Sequence, residues 1–370
     1  MRTILFILQK EFIQVRRNRT MLPIIFVVPI LQLLVLSFTA TFEIKNIDLM
    51  VVDQDNSPSS REVIAKFKGS PFFTIVGHTA EFNTAEQAVI SNWADQVIQI
   101  PSGFEKDIIS EKAADLQLTT NAINGSAASL MNAYALNIVM DYNTDIIVEQ
   151  LGLEKPPAPI VISSAFWYNP ELNYFTYMVP GILVLLVTVI SAFLSAMNIV
   201  REKEIGTIEQ INVTPIKKYQ FILGKLLPFW IIAIFELAFG LLVAKLVFDI
   251  PMLGSLGLVF FVASVYLLVA LGLGLLISTL TNTQQQSMFL TFFFLVIFIL
   301  MSGLFTPVQS MPEWAQTMNK INPLAYFIDV MRMVLLKGSA FKDISVHFFS
   351  LLGLALLLNT LAVWRYRKVV

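Results

Sequence analysis

IVREKEIGTIEQINVTPIKKYQFILGKLLP, Ile199 to Pro228, is a polar, mixed-charge stretch between two long apolar runs. The run before it, Tyr174 to Asn198, and the run that begins near Phe221 are each long enough to cross a bilayer as a helix, which takes about 20 residues. The stretch between them is therefore expected as a loop on one side of a membrane. Five basic residues, Arg201, Lys203, Lys217, Lys218 and Lys225, outnumber three acidic ones, Glu202, Glu204 and Glu209, and that bias assigns the loop to the cytoplasmic side. Gly206 interrupts a helical pattern, and Thr214 before Pro215 reads as an N-cap with proline at the first helical position. The expectation is two short helices lying against the membrane, joined by a turn.

Composition agrees with a membrane protein. Hydrophobic residues make up 56% of the chain and charged residues 14%, against about 25% charged in an ordinary soluble domain. The formal net charge of −1 hides an asymmetry: the segments assigned to the cytoplasm hold thirteen of the 25 Lys and Arg with four acidic residues, whereas residues 42–172 carry seven basic and seventeen acidic ones. Such polarity sets orientation. Without cysteine the chain has no disulfides, thiolate nucleophiles, zinc–thiolate sites or iron–sulfur clusters. Two histidines, His78 and His347, leave little material for a histidine metal site or a Ser-His-Asp triad. Gly224-Lys225 is followed by leucine and lacks a glycine-rich approach, so it is not a phosphate-binding loop. The chain is read as a non-enzyme without its own ATPase site.

Residues 1–20 place Leu5, Leu8, Phe12 and Val15 at helical spacing, with Gln9, Lys10, Gln14 and Arg17 elsewhere on the wheel, which predicts an interfacial amphipathic helix. Arg16, Arg17 and Arg19 precede a first membrane helix at 21–41. A cleavable signal peptide competes, because Ser37-Phe38-Thr39-Ala40 offers small residues, but the apolar stretch exceeds the roughly 7–15 residues usual for a signal. Residues 42–172 change to the hydropathy of a soluble domain. Strands expected at 47–52, 72–76, 96–100 and 116–119 alternate with helices at 60–68, 84–92, 103–112 and 126–151, and Thr84 and Gln87 have capping-box spacing. This order predicts an α/β domain with one mixed sheet. Asp53-Gln54-Asp55-Asn56-Ser57 resembles the start of a calcium loop, yet Pro58 and Ile64 stand where that loop needs glycine and glutamate. A strand-end turn capping the next helix is the simpler reading. Pro156, Pro157 and Pro159 suggest a stiff linker back to the membrane.

Further crossings are expected at 173–198, 221–248, 253–280, 287–306 and 345–364, with 199–220 as the central loop and 365–370 as a tail anchored by Arg365, Arg367 and Lys368. The fold class is thus an α-helical polytopic membrane protein of six transmembrane helices with both termini in the cytoplasm. Glu236 lies deep within the third crossing, where a carboxylate is expensive and must face protein, a cavity or a polar partner; a hydrogen bond between helices is the bland account. Ala270 and Gly274 have the small-xxx-small spacing of close helix contacts. Residues 307–338 are broken by Pro307, Pro312 and Pro323 and predict an outer re-entrant helical hairpin.

REKEIGTIEQINVTP, with the later ILGKLLP, resembles the E-x-G-T-x-E-x-x-x-x-T-P and G-K signature of the ABC-2 family of transporter permeases. A second series, Ser302-Gly303 with Pro307, Met311-Pro312-Glu313-Trp314, Asn322-Pro323-Leu324 and Arg332 through Lys337-Gly338, resembles the S-G-x-x-x-P, M-P-x-W, x-P-L and R-x-x-x-L-K-G series of the same family. IQIPSGF, Ile98 to Phe104, is similar to an I-P-x-x-F stretch in the extracytoplasmic domains of its members. The resemblance implies an exporter permease of the type V kind, with the α/β domain inserted outside the membrane between helices 1 and 2. It implies that Arg201, Glu202, Lys203, Glu204, Gly206, Thr207, Glu209, Thr214 and Pro215 couple to a separate ATPase, and that Ser302, Gly303, Pro307, Pro312, Trp314 and Pro323 belong to an outer gate. Two ATPase subunits, which would hold ATP and Mg, and a second permease copy or a related permease are the implied partners in the bacterial inner membrane, with room for a periplasmic adaptor. No cofactor, metal or nucleic acid is implied, and the substrate class is a hydrophobic drug or lipid-like molecule. Two readings compete. A secondary transporter would use Glu236 as an ion relay, and a mechanotransmitter would move its outer domain without passing substrate.

Overall fold

A computed structural model describes residues 2–17, 21–39, 46–110, 113–150, 167–171, 173–207 and 216–365. The expectations for Arg19, the Pro156–Pro159 linker, Glu209, Thr214, Pro215 and the tail residues Arg367 and Lys368 lie outside them. Two compact units result, Phe42–Ser164 and the combination of Met1–Thr41 with Ala165–Val370.

The smaller unit is built on a four-stranded sheet in the order β2-β1-β3-β4. Its strands are β1 (Ile47–Asp53), β2 (Phe73–Thr79), β3 (Gln96–Ile100) and β4 (Gln117–Thr120). β1 pairs in parallel with β2 and β3, and β4 closes the edge antiparallel to β3. Alternate residues of β1 point to opposite faces. Ile47, Leu49 and Val51 meet α3 (Pro58–Gly69), α5 (Phe104–Ser110) and α6 (Gly125–Gln150) through Phe67, Phe104, Met131 and Ala135. Met50 and Val52 meet α4 (Phe82–Ile90) through Ala85 and Ala88. Burial on both faces explains why β1 reads as an apolar run rather than an alternation. The Asp53 carboxylate accepts from Asp55 N and Asn56 N, and Ser57 Oγ accepts from Ser60 N at 3.0 Å to cap α3. Asp55 accepts from Gly103 N at 2.7 Å and Glu105 N at 3.1 Å. The hydrogen bond with Ser57, joined by these backbone N–H groups, holds its carboxyl below the usual range. The capping box expected at Thr84 does not form. α4 starts two residues earlier, with Glu81 at an N-cap that makes no side-chain bond, because Phe82 packs into the cluster around Val52 and Val97.

The larger unit is helical. α1 (Arg2–Arg17) and α2 (Met21–Thr39) precede α7 (Tyr174–Glu204), α8 (Lys218–Phe248), α9 (Leu256–Leu280) and α10 (Gln284–Met301). After a short 3₁₀ turn, Val308–Ser310, come α11 (Glu313–Asn319), α12 (Pro323–Lys337) and α13 (Phe341–Arg365). Among the described residues five helices, α7, α8, α9, α10 and α13, are long and apolar enough to cross a membrane; the apolar part counted in α2, Val27–Thr39, is shorter. α7 and α9 form the centre. Tyr266 of α9 is fully buried, stacks on Phe327 of α12 with ring centroids 4.4 Å apart, and hydrogen bonds to Thr188 of α7. α8, α10 and α13 turn many Phe and Leu side chains outward, as surfaces facing lipid or another apolar partner do.

Several boundaries differ from expectation. α7 continues six residues past 198, so Arg201–Glu204 form its last turn rather than a separate interfacial helix. Burial of Ile199 and Val200 and an ion pair on Glu202 carry the helix beyond the polar boundary. α10 starts at Gln284, where Thr283 Oγ1 accepts from Gln286 N, and stops at Met301, before Ser302 and the positive φ of Gly303. α13 starts at Phe341, four residues before 345. α12 begins at Pro323 behind an Asn322 cap and is largely buried, so this part of the broken segment is packed by protein.

At Gly274, α9 comes so close to α7 that an added Cβ would stand 2.5 Å from the Ala192 carbonyl oxygen. Gly274→Ala is expected to cost about 1–3 kcal/mol through overpacking, read as a lower thermal unfolding temperature in detergent. Gly353→Ala, on a stretch of α13 with nothing within 4 Å, should not lower it.

Candidate functional site

The central loop signature leads to a cluster of charged side chains where α1, α7 and α8 meet. α1 presents Glu11 and Val15, both buried, toward the other helices, while Leu5 is exposed, so its inward face is not the apolar stripe the spacing suggested. Gly224 of α8 lets α1 approach: a Cβ there would stand 2.7 Å from Ile7. One residue on, Lys225 is 1% exposed. Its ammonium lies 2.7 Å from Glu11 and 2.5 Å from Glu202, at the end of α7. Lys10 adds a second cation, 2.7 Å from Glu202 and 3.5 Å from Glu11. Asn198 Nδ2 donates to Glu11 at 2.9 Å, and Thr207 Oγ1 donates to Glu202. Two cations thus face two carboxylates, and neutral donors fill remaining lone pairs, which is what burial of such charges requires. Burial alone would lower the Lys10 pKa, but Glu202 and Glu11 outweigh it and hold the ammonium above its ordinary value.

The same turn of α7 reaches the other way. Lys203 Nζ donates to the Ser278 and Thr281 carbonyls at the end of α9, a favourable place for a cation. Glu204 accepts from Gln284 N at 2.7 Å and from the Gln284 side chain. The end of α7 therefore ties together α1, α8 and the α9–α10 turn. Glu202 and Lys203, expected to meet a partner, are committed to these internal contacts. Arg201, Gly206 and Thr207 are half-buried and Glu204 is exposed. Gly206 has φ +76° and open space around it.

The second signature forms a separate region. Ser302 Oγ donates to Ile299 O and accepts from Leu304 N. The Gly303 carbonyl accepts from Arg332 Nη1 at 3.2 Å and Tyr177 Oη at 3.3 Å, and the Arg332 guanidinium lies 3.7 Å over the Tyr177 ring. Gly303 and Pro307, with Asn319, Tyr326 and Arg332, line a cavity of about 400 Å³. Pro312 and Trp314 are exposed and do not line it, and Pro323 is buried at the start of α12. Glu236 is buried on α8. Among the described residues no group of three or more His, Cys, Asp or Glu is placed to hold a metal ion. Glu11 was missed by sequence reasoning. Its only signal was a carboxylate on the α1 face shared with Ile7 and Val15, to be matched with a lysine inside the apolar run that opens α8.

Residues 19–364 match the model of the ABC-2 family of transporter proteins. The chain is 29% identical over 365 residues to the probable multidrug ABC transporter permease YbhR of Escherichia coli, covering 98% of each chain. It is 24% identical to the inner membrane transport permease YhhJ of Escherichia coli, over 87% of this chain and 85% of that one. It is 22% identical to ABC transporter G family member 20 of Dictyostelium discoideum, over 96% of this chain and 49% of that protein.

Lys225→Met would leave two buried carboxylates facing Lys10 alone and is expected to cost about 3–5 kcal/mol. Thermal unfolding in detergent, with protease sensitivity of α1 as a local readout, checks this. Adding Glu11→Gln should restore part of the loss.

Proposed function

Because the chain belongs to the ABC-2 family of transporter proteins, we propose that it is the membrane-spanning permease subunit of an ATP-driven exporter, working with a separate ATPase. The single observation that carries this reading is α7. It is one 31-residue helix, about 46 Å long at 1.5 Å per residue. One end is locked into the Lys225 cluster, and the other holds the broken segment through Tyr177, whose carbonyl accepts from Arg332 and whose hydroxyl donates to Gly303. A push on the residues just beyond Glu204 would reach α1, α8 and the α9–α10 turn together, and would travel along α7 to Gly303 and Pro307. Pro180, inside α7, removes one helical hydrogen bond near the far end and gives the helix a place to bend.

In this reading the cluster end is cytoplasmic, which agrees with the concentration of Lys and Arg there. α2 supplies the sixth crossing, both termini lie inside, and Phe42–Ser164 lies outside the membrane. Arg201, Glu204, Gly206 and Thr207, with Glu209, Thr214 and Pro215, form the surface that receives the ATPase, while Glu202 and Lys203 hold that surface to the membrane helices. Two ATPase subunits and a second permease complete the transporter. The name of YhhJ supports the inner membrane. The name of YbhR and the outward apolar faces of α8, α10 and α13 support a hydrophobic, drug-like or lipid-like substrate.

Affinity purification from the native host in mild detergent is expected to bring down an ATPase whose turnover responds to the permease. Gly206→Trp, which forces a bulky side chain into a positive-φ position, should abolish that response while leaving membrane insertion intact. Gly206→Asn, which tolerates that conformation, should keep it. Normal stimulation by Gly206→Trp would count against the coupling role.

A further inference from the structure

Glu236 lies midway along α8 and is 8% exposed. Both of its carboxylate oxygens are buried and have no hydrogen-bond partner among the described residues. It borders a cavity of about 20 Å³ walled by Ile25, Pro29 and Leu33 of α2, by Leu183 and Val187 of α7, and by Phe239 of its own helix. That space admits one water-sized group. Phe235 lines the same cavity and is 54% exposed, so one wall of the cavity reaches the apolar outer face of the helices.

The site therefore offers one carboxyl group, the Glu236 side chain, in a lining that is otherwise apolar. An alkali or divalent metal ion would need more oxygen ligands than this. An ammonium group needs only acceptors, carries the matching charge, and is the size of a water molecule.

We propose that the Glu236 cavity is the headgroup site for a lipophilic primary amine, which takes the Glu236 proton and is held as the ammonium against the carboxylate, with its apolar body lying over Phe235 and Phe239. A quaternary ammonium is too large and brings no N–H. This deepens the exporter reading by naming a substrate class, and it rests on that reading only in treating the bound amine as cargo.

The test uses the full chain in phosphatidylcholine nanodiscs, with empty nanodiscs subtracted, and radiolabelled dodecylammonium as the probe. Saturable binding near one per chain is expected, at least tenfold tighter than for dodecanol or dodecyltrimethylammonium, which share the tail. Glu236→Gln, of equal size and better suited to burial, should abolish the saturable component. Glu236→Asp, which keeps the charge one methylene further back, should weaken binding but keep the preference for the amine. Equal binding of amine and alcohol, or binding unchanged in a folded Glu236→Gln chain, overturns the proposal while leaving ATPase coupling untouched. Amine binding by a chain that recruits no ATPase would uphold the cavity site and remove the exporter reading instead.

Discussion

The fully buried ammonium of Lys225, held between Glu11 and Glu202, is the interaction on which the arrangement of the larger unit depends. Removing charges from water costs several kcal/mol per ion, so such a cluster holds only if its geometry is met on all sides at once. That requirement fixes three helix ends relative to one another. α1 cannot slide along α8 without pulling Glu11 from Lys225, and α7 cannot unwind at Glu202 without stranding the same lysine. Apolar packing alone would tolerate small shifts of register, and the ion pairs do not.

From that fixed end the helices differ in character. α7 and α9 are packed from both sides, with the Gly274 approach and the Tyr266–Phe327 stack leaving little freedom. α8, α10 and α13 give much of their surface to apolar side chains facing outward. The larger unit is thus a tightly packed inner pair surrounded by helices with fewer internal contacts. At the far end the helical ladder is interrupted, and the Gly303 carbonyl accepts instead from the Arg332 and Tyr177 side chains.

Much of this was legible in the residues. Long apolar runs identified α7 to α10 and α13 because membrane spans need length and hydropathy more than detail. The strand and helix order of the smaller unit followed from β-rich runs and turn residues, although Thr84 misled because a capping pattern was outweighed by burial of Phe82. The helix of α7 runs on past the crossing expected to end at 198 for a related reason: hydropathy marks where a helix leaves lipid, not where its backbone stops. The charge cluster was the least legible. Glu202 and Lys203 read as part of a surface for another protein, since charged residues next to a span usually meet water. The inward commitment of Glu202 became visible only once Lys225, read as part of a basic loop, and Glu11, on a helix read as interfacial, were brought to the same point, and that of Lys203 once the end of α9 was placed beside it.

The cluster also has a consequence for the order in which the chain can be assembled. Lys10 and Glu202 lie 192 residues apart, and at a synthesis rate of about 5–20 residues per second that separation amounts to about 10 to 40 s. α1 precedes α7 and α8 in the chain, and until they emerge its buried carboxylate has only the neighbouring, half-exposed Lys10 as a counter-charge. During that interval Glu11 must stay hydrated at the membrane surface, and α1 can dock only as a late step. A helix synthesised well before α7 and α8 is thus settled only after them, and its docking reports that the helices around it have come together in the right register.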